Sequence, residues 1–178
     1  MALANCKSNW LHLYIEDSLL PDACKASRAL RRFNIAAPRL ETHVTLDSFL
    51  SFAALFVTLR DWAGTALRAR RLEPTLAAIT PDGLTIWPLF VTEWRETTAG
   101  GTAMANLLQL NQMRIALAEL PTQQMGVYLQ ENQGWEFGLL QAWRTGGHGH
   151  LIGCPHSTVR YWDLRYYFDP REYQSTQK

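Results

Sequence analysis

Cysteine is scarce in this chain. Cys6, Cys24 and Cys154 stand far apart among 178 residues. An odd, scattered set excludes a disulfide framework and a zinc signature, and makes a reducing cytoplasm the expected location. Charge of one sign is also lacking: 17 Lys and Arg face 16 Asp and Glu, for a formal net charge of +1. That balance gives no reason to expect a nucleic acid as partner. No uninterrupted apolar run approaches the roughly 20 residues needed to cross a bilayer. The opening MALANCKSNW has no basic stretch followed by an apolar one, so no signal peptide is expected. Internal repeats and low-complexity segments are missing. So are the phosphate-cradling patterns GxGxxG and GxxxxGK[ST] and the GxSxG nucleophile elbow.

The chain does carry enough apolar sequence to fold. Its hydrophobic fraction is 47% and its aromatic fraction 11%, as in a globular domain with a real core. Residues 9–16, NWLHLYIE, alternate and read as a strand. Pro21 and Asp22 open a helix to about Phe33, with Ala23, Ala26, Leu30 and Phe33 on its inner face. HVTL, 43–46, is a second short strand. Asp47 or Ser48 is a plausible N-cap for the longest helix, over 49–71. Phe49, Phe52, Leu55, Phe56, Leu59, Trp62, Ala63, Ala66 and Leu67 form its apolar face, and Arg60, Asp61, Arg68, Arg70 and Arg71 cover the rest. This pattern predicts a helix packed on the sheet. Its aromatic face and basic end leave open a peripheral contact with the inner face of a plasma membrane. An extended segment over 84–87, a short helix over 92–97 and a helix over 103–120 capped by Thr102 follow.

The most informative stretch is 125–173. Residues 125–129 form an apolar run closed by Gln130-Glu131-Asn132, which fits a buried strand. Residues 135–144 repeat at helical spacing through Trp135, Leu139 and Trp143, with Phe137 and Leu140 widening the face, and Gly146-Gly147 stop them. Residues 150–154 form a second strand, ended by Pro155. Strand, helix and strand in this span predict a βαβ unit with parallel strands and a right-handed crossover. The two polar clusters, Gln130-Glu131-Asn132 and His156-Ser157-Thr158, would then open on one sheet edge, where α/β sheets bind ligands.

This stretch, YLQENQGWEFGLLQAWRTGGHGHLIGCPHSTVRYWDLRYYFDP, resembles a bacterial surface carbohydrate (polysaccharide) biosynthesis family. Its members look like glycosyltransferases with two Rossmann-like domains. NWLHLYIED, VTLDSFLS, LRDW, IWPLF and AMANLLQLNQ extend the resemblance upstream. The implied fold is α/β and Rossmann-like, a mostly parallel sheet with helices on both faces. Only one such domain fits residues 1–178. The resemblance therefore implies the N-terminal, acceptor-side half of a transferase, or a fragment of a longer protein, working with a second Rossmann-like domain or subunit. A nucleotide sugar would be the donor substrate, a glycan or lipid-linked glycan the acceptor, and no cofactor would be bound.

Several residues are candidates for the chemistry. Glu131 at a strand end can act as general base or bind sugar hydroxyls; it can equally cap the next helix. His156 can move a proton or bind a phosphate or sugar, or merely satisfy its loop. Asn132, Ser157, Thr158 and Arg160 are candidate substrate ligands, Arg160 as a clamp for an anionic group. Arg165 pairs more naturally with Asp163 or Asp169. Cys154, inside an apolar strand, reads as inert core. His148 and His150 could share a strand face, but no fixed third ligand follows, so no metal is expected. The reading is glycosyl transfer, with Glu131 or His156 taking the acceptor proton. The alternatives are a non-catalytic binding or scaffold module and a nucleotide-sugar-modifying, epimerase-like enzyme.

Overall fold

A computed structural model describes residues 7–16, 18–36 and 40–155. The elements run β1 (Ser8–His12), α1 (Ala23–Ala36), β2 (Glu41–Thr45), α2 (Phe52–Ala77), α3 (Trp87–Ala99), α4 (Gly101–Ala118), β3 (Met125–Gln130), α5 (Gly134–Thr145) and β4 (His150–Pro155). Both strand pairs are parallel and each is joined through a helix: β1 with β2 across α1, and β3 with β4 across α5. The chain is thus mixed α/β.

It differs from the expected single sheet. The described strands form two separate two-stranded sheets. They meet where Asn9 donates its side-chain amide to Gln123, just before β3. Leu11 and Leu13 pack against the same core as Trp143 and Leu151, which also holds buried Leu46, Met113, Ala116, Leu117 and Ala142. Among the described residues, helices do not cover both faces throughout. α5 covers one face of β3–β4 through Trp143 over Gly126 and Trp135 edge-on to Tyr128. The other face, Met125, Val127, Leu129, His150, Ile152 and Cys154, is exposed. Cys154 is therefore not core.

Local chemistry explains the boundaries. Asp22 accepts the backbone N–H of Lys25 and starts α1. Ser51, rather than Asp47 or Ser48, caps α2 by accepting from the Ala54 N–H. Asp47 and Ser48 lie in a 3-10 turn, Leu46–Phe49. The extended segment expected over 84–87 instead leads into α3, which begins at Trp87 with Pro88 in its first turn. Glu96 accepts the backbone N–H and the hydroxyl of Thr102, tying α3 to α4 across Gly100-Gly101. Gly147 closes α5 with φ +67°, a left-handed conformation that favours glycine.

α2 also lies differently from expectation. Buried Ala54, Thr58 and Ala69 mark the side that packs on α3 and α4. The Asn111 amide donates to Thr58 and to Asp61, and Arg114 pairs with Asp61. Trp62 donates its indole N–H to the Ala99 carbonyl. Burying polar groups requires partners; those of Thr58 and Asp61 lie on α4, so the inward side of α2 mixes Ala54, Thr58, Asp61 and Ala69, while Arg60, Arg68, Arg70 and Arg71 stay exposed. Phe52, Leu55, Phe56, Leu59 and Leu67 are left facing out.

Candidate functional site

Two clusters of polar side chains are set out by the strands, one after the carboxyl end of β3 and one along the face of β1–β2. The first is the turn after β3. Gln130 registers with Pro155, so Glu131 leaves the sheet at the edge where β4 ends. The turn is organised by Glu136, which is buried. Its carboxylate accepts the backbone N–H of Glu131 at 2.8 Å and of Gln133 at 2.7 Å, completing a capping box with the Gln133 side chain. Gln133 is the N-cap of α5 and Glu136 closes the box from the first turn, while Glu131 lies two residues before the cap. Asn132 takes the left-handed region, φ 59°, and its Nδ2 is buried with no hydrogen-bond partner among the described residues. Tyr128, half-buried on the same strand, has its phenol pKa pushed up by burial and by Glu136.

His156, Ser157, Thr158 and Arg160 lie outside the described residues, as do Arg165, Asp163, Asp169, Trp162 and the aromatic run 161–168. Other sequence-based assignments are settled. Trp143 is buried and Trp135 packs against the core, as their shared stripe implied, but Phe137 points outward at 69% exposure. His148 does not share a strand face with His150. It precedes β4, packs on Trp143, and accepts the Gln123 N–H through Nδ1.

The second cluster was not anticipated. Trp10 and His12 alternate along β1 and Glu41 and His43 along β2, and the register sets Trp10 beside His43. Nε2 of His12 lies 3.0 Å from Nδ1 of His43, and His43 Nε2 lies 3.3 Å from a Glu41 oxygen. The Trp10 ring stacks on His43 with an interplanar angle of 3°, and Phe33 of α1 meets His43 edge-on. Asn34 holds the strand by bonding both the N–H and the C=O of His43. Since Leu11 and Leu13 face the core, this cluster faces away from α5 and toward α1.

The hydrogen bonds fix the tautomers. The Glu41 carboxylate only accepts, so His43 donates through Nε2 and, when neutral, accepts at Nδ1 from His12 Nε2–H. The basic nitrogen of the line is then His12 Nδ1. Burial, and next the neighbouring His43, lower the pKa of His12 below the ordinary 6.5. His12 is thus neutral near pH 7 and able to accept a proton, which it can pass toward Glu41. The cue in the sequence was the pair of i, i+2 spacings. It is weak alone, because spacing gives a face but not the partner strand's register.

Concavity points elsewhere. A hollow of about 240 Å³ between α4 and α5 is lined by Ala103, Asn106, Leu110, Gly134, Phe137 and Gly138. An apolar groove of about 370 Å³ beside α3 is lined by Leu76, Ile79, Ile86, Trp87, Phe90 and Trp94. Neither contains Glu131, Asn132 or the paired histidines. Comparison with protein-family models, with curated proteins and with solved structures finds no match.

Proposed function

We propose that the chain is a glycosyltransferase-like protein of bacterial surface polysaccharide assembly, or its acceptor-side, Rossmann-like half. The observation that carries this reading is the His12–His43–Glu41 line, which runs along the sheet face from Glu41 at the start of β2 to His12 at the carboxyl end of β1. His12 is a proton acceptor at the edge where parallel α/β units bind ligands. The family resemblance also supports glycosyl transfer.

In this reading an acceptor hydroxyl attacks the anomeric carbon of a nucleotide sugar. The bond to the phosphate oxygen breaks with its electron pair, and the hydroxyl proton passes to His12. Trp10 offers a face for a sugar ring. Glu131 and Asn132, with His156, Ser157, Thr158 and Arg160 beyond β4, supply hydrogen bonds to substrate. A second Rossmann-like domain or subunit holds the nucleotide, since this chain lacks a phosphate fingerprint.

The test is complementation of a deletion strain with the complete protein. His12→Asn and Glu41→Gln are expected to lower polymer assembly by about 10²–10⁴-fold. Glu131→Gln and His156→Ala are expected to impair it as well. Wild-type polymer from all four overturns the reading. Titration of the isolated chain with nucleotide sugars is expected to give dissociation constants weaker than about 1 mM, roughly −4 kcal/mol. Micromolar binding would sink the half-enzyme idea.

A further inference from the structure

α2 presents an unusual outer face. Phe52 is 92% exposed, Phe56 71% and Leu59 53%. At about 100° per residue these three share one strip with Ala63 and Leu67. The same strip continues, toward the end of the helix, into exposed Arg70 and, at its margin, exposed Arg71. It carries no carboxylate. The two acidic residues of α2 are engaged elsewhere: Asp61 accepts from Arg60 and from Asn111 and pairs with Arg114 of α4, and Glu73 pairs with Arg95 of α3.

The combination selects the occupant. A protein partner covering this face would strip water from arginines that the face itself gives no carboxylate to pair with, which is costly. A second copy of the chain brings the same face and no carboxylate either. A lipid surface meets both halves at once. Phenylalanine and leucine enter the boundary of headgroups and acyl chains, while arginine side chains reach the phosphates. No helix among the described residues is long and apolar enough to cross a membrane, so the contact is a lateral one. We propose that the outer face of α2 docks the protein on an anionic bilayer, with Phe52, Phe56 and Leu59 inserted and Arg70 and Arg71 at the headgroups. This contact is independent of the reaction assigned above.

The experiment is co-sedimentation of the full chain with two kinds of vesicle, phosphatidylcholine alone and phosphatidylcholine mixed with phosphatidylglycerol. Binding to the mixed vesicles, weakened by salt, is expected. Arg70→Ala with Arg71→Ala should weaken it about 25-fold, at about five-fold per arginine near the surface. Phe52→Ser with Phe56→Ser should remove it. All four side chains are exposed, so circular dichroism should be unchanged in both variants. A chain that stays in the supernatant with the mixed vesicles overturns the proposal. So does binding that both variants retain, or a dimer in sedimentation velocity that the phenylalanine variant dissolves while vesicle binding is absent.

Discussion

Nε2 of His12 lies 3.0 Å from Nδ1 of His43, so two strands separated by a whole helix share one proton path. With Glu41 at its far end, the path makes the charge state of one imidazole depend on the other. Because the pKa of His12 is lowered from 6.5, the unfolded chain takes up this proton before the folded one does. The stability associated with His12 is present above about pH 6.5 and is lost as pH falls from there through the lower, folded value. Denaturation melts across that window should show this loss in the parent protein, and His12→Asn should flatten it. An unchanged slope in the variant would assign the acid sensitivity to other groups.

Glu136 is expected to hold the candidate turn through its two backbone acceptor contacts. Glu136→Gln keeps the shape but weakens charge-assisted bonds, at a cost of about 1–2 kcal/mol. Urea unfolding measures that loss. Hydrogen exchange at the Glu131 and Gln133 amides should quicken in the same variant, which a purely helix-dipole role for Glu136 would not produce.

Gly126 sits under the Trp143 ring, where an added Cβ would fall 2.6 Å from a ring carbon and 2.8 Å from Leu151. Gly126→Ala should cost about 1–3 kcal/mol through overpacking, despite the gain in β-propensity. A melting temperature equal to that of the parent would mean that α5 can lift off the sheet freely.

The orientation of α2 separates two substitutions. Asn111 is buried and donates to Thr58 and Asp61, so Asn111→Ala should destabilise by about 1–3 kcal/mol. Phe56 is exposed, and Phe56→Ser should stay within about 0.5 kcal/mol of the parent. The reverse ranking would mean that the large apolar side chains of α2 face the core.

Much of the local structure was legible. The βαβ unit over 125–155 with its parallel strands, and the stop at Gly146-Gly147, follow from apolar runs, period and turn chemistry, which act over a few residues; the parallel pairing of β1 with β2 was not read. The Trp135 and Trp143 stripe was read correctly for the same reason. Phe137 was misjudged because a stripe drawn too wide includes residues at its margin. Cys154 was misjudged because an apolar strand was taken to be covered on both faces, and among the described residues α5 covers one of them.

What the sequence determines by itself is the set of elements: capping residues, glycines and hydrophobic period act on neighbours in the chain. What only the tertiary structure decides is which face of each element finds a partner. α2 shows an apolar period that its pattern would turn inward, yet the Asn111 hydrogen bonds and the Arg114–Asp61 ion pair draw in the side that carries Thr58 and Asp61. Likewise His12 and His43 are ordinary strand residues until the β1–β2 register sets Trp10 opposite His43 and His12 opposite Thr45. That register depends on burying Leu11 and Leu13 in a core built partly from α4 and α5, more than a hundred residues further along the chain. Contacts of that range carry no local signature, because the entropy of closing the intervening loop is offset only when the whole core forms.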